Sequence, residues 1–380
     1  MGGLYVMTIS FVKIYQNIQG NTSEKLAFDS CLFEINTPFA RIQCTTSPDE
    51  KELPSNSGRK KYKKRKRITP DMTDIMYIEQ NVADLMKEVK DIGFFIYVPT
   101  LNDVKQNNVS ARDTANNFYL KYKMSPAINM HGCNGTQNSL ITQINGENYV
   151  IPADCRFFCY DVKEITTKVD LMSAPYDLVL LDPPWWNKYI RRKRAKCEEA
   201  GYQMLYNEEL TCIPIPALTL PGSLIAVWCT NSPSHFSSLC DVIFPAWDVE
   251  YIAKWFWVKV TRGGDPVCQF SPPPGKQPFE QIVFGCRKGG QRLQPLPEEN
   301  KLIISVPSAI HSHKPPLRDV LVPYLPATPQ CLELFARYLL PGWTSWGYEV
   351  LKLQHCSLYK EIRRHRPAEP CPGDRNRSRC

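Results

Sequence analysis

The residues with the clearest chemical potential form one short segment, Asp-Pro-Pro-Trp at 182–185, which directly follows the apolar run Tyr176–Leu181. An apolar run of this length is typical of a buried strand. A residue that precedes a proline is held in an extended conformation, so Asp182 is expected to continue the line of the strand. Pro183 and Pro184 fix the backbone and offer carbonyl acceptors but no N–H donors. The pattern predicts a rigid edge of hydrogen-bond acceptors beside an indole ring.

Such an edge suits a planar ring that carries an amino group with two N–H donors, as adenine does. A carboxylate and a backbone carbonyl can each accept one hydrogen, which localises the lone pair of the nitrogen and makes it nucleophilic. Fixed acceptors aimed at a developing positive charge provide electrostatic catalysis, and stacking on an aromatic ring holds a base with about 1–3 kcal/mol. The alternative interpretation of the same four residues is a strand that simply ends in a Pro-Pro turn.

Further apolar runs of strand length predict the sheet that positions this segment. Helical stretches are predicted between some of them, at Asn207–Cys212 and His235–Ile243. Apolar strands with intervening helices indicate the α/β class, with a sheet covered on both faces and with ligands beyond the carboxyl ends of the strands. The predicted strands are Phe157–Val162, Tyr176–Leu181, Ser223–Trp228, Tyr251–Val260, Gln281–Phe284, Leu302–Val306 and Leu332–Phe335.

Composition divides the rest of the chain. Residues 1–70 and 356–380 are predicted to be poorly ordered basic tails, and residues 71–148 a small accessory region of mixed α and β structure. That region begins with a predicted helix, in which apolar residues recur at steps of three and four, and continues with predicted strands at Phe94–Val98 and Asn117–Lys123. The domain that carries the chemistry is predicted to span residues 149–355.

The charge pattern favours an anionic partner. The formal charge is +8, and basic runs stand at 60–67 (KKYKKRKR) and 191–196 (RRKRAK). Such runs favour nucleic acid or an acidic membrane surface, with an ordinary solvated surface as the alternative. The first run predicts a nuclear-import signal, and its alternative is a solvated linker. No stretch holds the roughly 18 apolar residues of a membrane span, and the fifteen cysteines contain no C-x-x-C pair, so no metal is predicted.

Five motifs occur in the order typical of the adenine-N6 methyltransferases that carry a D-P-P-W signature, and the chain resembles that family over about residues 149–354. The resemblance implies S-adenosylmethionine as the cofactor and a Rossmann-like sheet in circularly permuted order. It also implies adenine in a polynucleotide as the substrate: RNA, with 2′-O-methylated adenosine of small nuclear RNA, or DNA as the alternative. The motifs are D-P-P-W-x-N-K (182–188), I-P-I-P (213–216), W-V-K-V (257–260), H-S-H-K-P-P-L (311–317) and E-L-F-A-R…P-G-W-T-S-W-G (333–347).

The resemblance further implies residue roles. Asp182, Pro183, Pro184 and Trp185 would form the adenine site. Glu333 is expected to pair with Lys314. The residues implied in cofactor binding are Asp161, Val162, Lys314, Glu333, Arg337, Gly347, Tyr348 and Glu349.

The stretch that follows the D-P-P-W segment is expected to contact the phosphate backbone of the substrate. Its expected substrate-binding residues are Asn187, Lys188, Arg191, Arg192 and Arg194.

Two departures from the family pattern stand in the cofactor segment. Tyr348 occupies a position where the family has Asn, and Leu339 and Leu340 replace polar residues. They support the competing hypothesis, a non-catalytic RNA-binding subunit. The intact D-P-P-W segment favours the enzyme, because degenerate partners in this family lose it.

Overall fold

The computed structural model describes residues 18–19, 25–39, 72–91, 93, 95, 97–122, 129–172, 174–186, 204–272 and 275–362. The basic runs at 60–67 and 191–196, and the chain after residue 362, lie outside the described residues.

Fourteen strands occur in the described part of the chain, and nine of them form one sheet. The strands are β1 (Ile18–Gln19), β2 (Lys25–Phe28), β3 (Met130–Asn134), β4 (Leu140–Ile144), β5 (Glu147–Ile151), β6 (Cys155–Cys159), β7 (Tyr176–Leu181), β8 (Thr219–Cys229), β9 (Val249–Lys259), β10 (Phe279–Arg287), β11 (Leu302–Ser305), β12 (Cys331–Leu334), β13 (Trp343–Trp346) and β14 (Tyr359–Ile362).

Nine α-helices are found among the described residues, most of them short. A π-helical turn, Leu239–Ile243, continues one of them. The helices are α1 (Met72–Asp91), α2 (Leu101–Gln106), α3 (Val109–Tyr122), α4 (Ile165–Lys168), α5 (Asn207–Leu210), α6 (Ile215–Leu218), α7 (Pro233–Ser238), α8 (Phe244–Ala246) and α9 (Arg318–Leu321).

The order of the nine-stranded sheet is β11-β9-β10-β8-β7-β12-β13-β6-β3. Its five neighbouring strands β8, β7, β12, β13 and β6 are all parallel, so their carboxyl ends meet at one edge. The strands latest in the sequence, β12 and β13, lie between β7 and β6. This arrangement confirms the predicted Rossmann-like α/β fold, and its order is the one that a circular permutation produces.

The apolar runs become strands because both faces of the sheet are covered. Side chains alternate along a strand, and in β7 Leu178 and Leu180 enter one apolar cluster while Val179 and Leu181 enter another. Each of the four is essentially inaccessible to solvent. The D-P-P-W segment therefore leaves the sheet from a strand that is packed on both sides.

The tail predictions are wrong for two segments. Strand β2 pairs with β14 in a small antiparallel sheet, with Phe28 opposite Tyr359. Phe28, Leu32, Leu358 and Tyr359 are all buried in the main apolar cluster. The first segment contains two short apolar patches, at Leu26–Phe28 and Cys31–Phe33, and the second contains Leu358 and Tyr359 within a basic stretch. These few apolar residues are buried against the core.

The accessory region also differs in part from the prediction. Helix α1 forms as predicted and packs through Ile78 and Val82 on the sheet residues Phe256 and Val258. The predicted strand Asn117–Lys123 is wrong, because residues up to Tyr122 belong to α3. Ala111, Ala115 and Phe118 recur at helical spacing in α3, and burying that face stabilises a helix.

The structure shows no sharp break at residue 149. Strand β3 hydrogen-bonds to β6 at the edge of the main sheet, although it precedes that residue. The domain boundaries drawn from composition stay a prediction. The described residues contain no helix long and apolar enough to cross a membrane.

Candidate active site

Asp182 lies at the carboxyl end of β7, between two cations. Its Oδ2 accepts a hydrogen bond of 2.6 Å from Nη1 of Arg337, which follows β12, and its Oδ1 lies 3.6 Å from Nζ of Lys314. All three side chains are nearly buried, with 8–11% of their surface exposed. The topology thus brings Asp182 together with two cations that lie more than 130 positions later in the sequence. The two cations fix the orientation of the carboxylate, because ion pairs to a buried carboxylate are strong and directional.

Glu280, at the start of β10, completes this cluster and was not predicted. Its carboxylate binds both Lys314 and Lys259. Burial opposes ionisation of Glu280, but the two ammonium groups outweigh it and hold the pKa of this carboxyl below its usual range. The expected pairing of Lys314 with Glu333 is therefore wrong, since Lys314 pairs with Glu280 and Asp182. No local pattern indicated Glu280, because β10 runs antiparallel and brings its first residues, not its last, to this edge.

Glu333 lies within β12 and is fully enclosed. Burial, together with the negative charge of Asp182, raises the pKa of Glu333 to about 8, against a smaller opposite effect of Arg337. Its Oε2 is buried and has no hydrogen-bond partner. Buried polar atoms are nearly always satisfied, so Glu333 stands out as a protonated carboxyl with hydrogen-bonding capacity left beside the reactive cluster.

Glu349 and Gly347 follow β13 and form the adjoining part of the site. Glu349 Oε2 lies 3.7 Å from Arg337 Nε, is buried, and accepts no hydrogen bond. A Cβ at Gly347 would stand 2.5 Å from the backbone oxygen of Ala336, so only glycine fits there. The absence of a side chain at Gly347 and the free acceptor of Glu349 suit the ribose hydroxyls of a nucleoside such as S-adenosylmethionine.

The neighbouring strand β6 contributes Asp161 and Val162. Strand β6 ends at Cys159 rather than at the predicted Val162, because the Asp161 side chain accepts a hydrogen bond from the Lys163 backbone and starts a 3-10 turn. Val162 is buried, and the indole of Trp346 donates to the backbone oxygen of Asp161 at 3.2 Å. The end of β6 is therefore tied to the end of β13, so the predicted cofactor residues lie at adjacent strand ends.

The two departures from the family pattern occupy different environments. Tyr348 is 46% exposed at the surface of the site. Leu339 and Leu340 are completely buried, and each packs in an apolar cluster of the core. The bulk of the Tyr348 side chain therefore lies partly in solvent.

Trp185 is buried rather than open to a ligand. Its Nε1 donates to the backbone oxygen of Trp228 at 2.7 Å, and only 6% of the residue is exposed. One face of the indole stacks on His235, with ring centroids 5.1 Å apart. His235 contacts the Thr230 hydroxyl, and burial lowers its pKa, which favours the neutral imidazole. His235 was missed by sequence reasoning, which treated α7 only as a helix.

The two proline carbonyls are partly engaged. The backbone N–H of Trp185 donates to the Pro183 oxygen at 2.8 Å, and that of Leu205 to the Pro184 oxygen at 3.1 Å. A carbonyl oxygen has two lone pairs, so each retains capacity for one further donor. The predicted edge of acceptors is therefore present, and each of the two carbonyl oxygens already accepts one backbone hydrogen bond.

The structure does not describe the predicted substrate-binding residues. Among the residues that the structure does describe, no group of three His, Cys, Asp or Glu side chains could hold a metal ion. The residues predicted to bind substrate, all outside the described ranges, are Asn187, Lys188, Arg191, Arg192 and Arg194.

Known proteins are similar to the chain over the same region. Residues 176–349 match the family described as MT-A70. The N(6)-adenine-specific methyltransferase METTL4 of Mus musculus is 37% identical over 235 residues, which are 60% of this chain and 48% of that protein. The DNA N6-methyl methyltransferase of Caenorhabditis elegans is 38% identical over 222 residues, 58% of each chain.

A third relative is named for RNA rather than DNA. The N6-methyladenosine RNA methyltransferase MTA1 of Pyricularia oryzae is 32% identical over 254 residues, 66% of each chain. The chain spans about half the length of the mouse relative, whose name includes adenine but not the type of nucleic acid. Residues 176–349, which contain Asp182, Lys314 and Arg337, form an MT-A70 family domain, and the methyltransferases of that family depend on S-adenosylmethionine.

Proposed function

We propose that this chain transfers the methyl group of S-adenosylmethionine to the exocyclic N6 amine of adenine in a nucleic acid. One observation carries the proposal: a carboxylate at the end of a parallel strand is buried between Arg337 and Lys314, beside two proline carbonyls. Asp182 is preorganised there as an acceptor, and its position costs no reorganisation when positive charge develops on the amine.

The chemistry follows from these acceptors. Asp182 accepts one N–H of the amine, and a free lone pair of the Pro183 or Pro184 carbonyl accepts the other. Asp182 and the proline carbonyl would thereby localise the lone pair of the nitrogen and make it nucleophilic. Bound S-adenosylmethionine would supply the electrophilic methyl group, with its sulfur as the leaving group. The methylated amine is acidic and releases its proton to water, so no strong base is required.

The cofactor residues are assigned from charge and burial. Lys314 and Arg337 supply the cations suited to the carboxylate of the cofactor. Glu349, whose buried Oε2 has no hydrogen-bond partner, suits the ribose hydroxyls. Asp161 and Val162 suit the adenine of the cofactor, at the end of the strand next to Gly347.

The preferred substrate is RNA, with 2′-O-methyladenosine of small nuclear RNA as the specific target and DNA adenine as the alternative. The target base must be unpaired or flipped out of its stack, because Asp182 is buried. The phosphate contacts are proposed for Asn187, Lys188, Arg191, Arg192 and Arg194. Replacing the three arginines by Ala is expected to lower the salt slope of binding to single strands by about 0.7 per lost contact. An unchanged slope would exclude them from the interface.

The activity is tested with labelled S-adenosylmethionine and matched RNA and DNA oligonucleotides, the RNA with and without a 2′-O-methyl group on the target adenosine. Digestion to nucleosides identifies the product. We expect label in N6-methylated adenosine, with the 2′-O-methylated RNA giving the highest kcat/KM. Label on another base, or on no oligonucleotide at all, would overturn the assignment.

A non-catalytic RNA-binding subunit is the second candidate, and Tyr348 is the observation that favours it. Thermal unfolding with and without S-adenosylmethionine separates the two, because a ligand that binds only the native state raises the unfolding midpoint. A raised midpoint supports the enzyme, and an unchanged midpoint at millimolar cofactor supports the subunit.

Nuclear localisation is proposed from the basic run at 60–67. Replacing its lysines and arginines by Ala in a fluorescent fusion is expected to move the protein to the cytosol. An unchanged distribution would contradict the proposal.

A further inference from the structure

An exposed pair of aromatic rings stands directly after the D-P-P-W segment. Tyr206 is 58% exposed, and its ring lies 6.3 Å from that of Trp186 with an angle of 20° between the two planes. Trp186 is half-buried. Trp185 next to it is buried and stacked on His235, so the aromatic surface open to solvent here belongs to Trp186 and Tyr206. Neither residue has a role in the chemistry described above.

The backbone holds this pair against the acceptor segment. Leu205, which precedes Tyr206, pairs with Trp185 as a parallel bridge, and its N–H donates to the Pro184 oxygen at 3.1 Å. These backbone contacts place the residue before Tyr206 directly beside the segment that carries Asp182. The stacking of Tyr206 on Trp186 adds a side-chain contact to them.

A second set of contacts ties Tyr206 to the predicted cofactor segment. Its backbone N–H donates to Glu209 Oε2 at 2.7 Å, and Glu209 Oε1 pairs with Lys163 at 2.7 Å. The Lys163 backbone in turn donates to Asp161 at 3.0 Å. The Lys163–Glu209 pair is partly exposed, and such pairs contribute only about 0–1 kcal/mol to stability. These contacts connect the start of α5 to the turn after β6.

We propose that Trp186 and Tyr206 form a stacking platform for an unpaired base that neighbours the target adenine in the same strand. The inference rests on the proposed function, and it names a single-stranded nucleic acid as the form that the site takes. A base on the exposed ring of Tyr206 cannot also present its amine to the buried Asp182, so the two positions take different nucleotides. Aromatic rings accept any base by stacking, so the platform holds the strand without reading its sequence.

A nucleic acid fits this surface better than an apolar peptide. The chain carries the basic run RRKRAK shortly after Trp186 in sequence, and a basic run beside aromatic residues is the combination that binds single strands. A hydrophobic peptide would need a continuous apolar groove, whereas Tyr206 is followed by the polar residues Asn207 to Glu209. The charge of Glu209 is balanced by its pair with Lys163.

The experiment measures binding of single-stranded RNA that contains one target adenosine, either intact or with an abasic nucleotide on its 5′ or 3′ side. For the unmodified protein, loss of the base on one side is expected to weaken binding about tenfold, in the range of one base stacked on an aromatic ring. Tyr206→Leu is expected to lose about tenfold on intact RNA and nothing further on that abasic RNA. Tyr206→Phe keeps the ring and is expected to bind as the unmodified protein does.

Leu220→Ala is the matched control. Leu220 is also 58% exposed, but it lies near the start of β8, at the opposite edge of the sheet from the candidate site. It should bind both RNAs as the unmodified protein does. Trp186→Leu provides a second variant, with the same expected pattern, in case Tyr206→Leu does not fold.

Two results would overturn the platform. One is equal binding of intact RNA and both abasic RNAs by the unmodified protein. The other is found if Tyr206→Leu, like the unmodified protein, binds the abasic RNA about tenfold more weakly than the intact RNA. Methyl transfer is measured on the same samples. If methyl transfer occurs but affinity does not depend on the neighbouring base, the platform is refuted and the proposed function stands. If affinity depends on that base through Tyr206 but no methyl transfer occurs, the platform stands and the proposed function is refuted.

Discussion

Asp182→Asn removes the negative charge of the proposed acceptor while keeping its shape. The amide oxygen can still accept one hydrogen bond, but the amide nitrogen must face either Arg337 or Lys314, where Asp182 now presents its oxygens. The variant therefore loses both the charge and part of the acceptor geometry. Removing one preorganised group of this kind costs about 2.7–4 kcal/mol in the transition state, so we expect kcat to fall about 10²–10³-fold.

The cost to stability should be smaller than for a typical buried ion pair. Breaking such a pair by removing one partner costs about 3–5 kcal/mol, because a buried charge is left without compensation. Here Arg337 retains Glu349 at 3.7 Å and Lys314 retains Glu280. The burial of the ion pairs makes Asn the better test, because Ala would also leave a cavity.

The assay is single-turnover methyl transfer with labelled cofactor, together with urea unfolding of both proteins at the same pH. Asp177→Asn is the matched control, since Asp177 lies near the start of the same strand and accepts a hydrogen bond from the Gln330 backbone. It should keep full activity. If folded Asp182→Asn transfers methyl groups within tenfold of the unmodified protein, the assignment of Asp182 is refuted.

Three further predictions concern the neighbouring residues. Because the pKa of Glu333 rises from 4.5 to about 8 in the folded protein, its contribution to stability is complete below pH 4.5 and is lost as the pH rises through 8; Glu333→Gln should lack this loss in urea unfolding, and parallel pH profiles would contradict the burial argument. Gly347→Ala would place a methyl group 2.5 Å from the Ala336 oxygen, so calorimetry should show weaker S-adenosylmethionine binding, and unchanged affinity would separate this loop from the cofactor. Tyr348→Asn should tighten cofactor binding by up to about tenfold, the value of one neutral hydrogen bond, and weaker binding would show that the tyrosine is itself a ligand.

The parallel strands and the position of Asp182 could be predicted because their signals are local. An apolar run followed by Asp-Pro-Pro predicts both a buried strand and the residue at which it ends. The sheet then places that end beside Arg337 and Glu349. Strand β13, with its tryptophans and small polar residues, lacks a continuous apolar run and was not predicted as a strand. Its position depends on pairing with β12 and β6, which are distant in sequence.

The partners of Asp182 and Lys314 were harder to predict because they depend on strand direction and on tertiary packing. Glu280 reaches the site only because β10 is antiparallel to β8. His235 covers Trp185 through the placement of a helix that has no distinctive motif. The short strand β14 lies in a basic segment that was predicted to be a tail. At its start, Leu358 and Tyr359 are buried in the same apolar cluster as Phe28. Such contacts carry no periodic signal in the sequence.

The central claim, that the buried carboxylate at the end of β7 directs a methyl group to the N6 amine of adenine, is tested most directly by removing that amine from the substrate. Two RNA oligonucleotides are compared at saturating labelled cofactor, one with a single adenosine and one with purine riboside, which lacks the exocyclic amine, in its place. We predict label on the first alone, recovered as N6-methyladenosine and lost with Asp182→Asn. Equal labelling of both oligonucleotides, or a labelling rate of Asp182→Asn within tenfold of the unmodified protein, would contradict this account of the site.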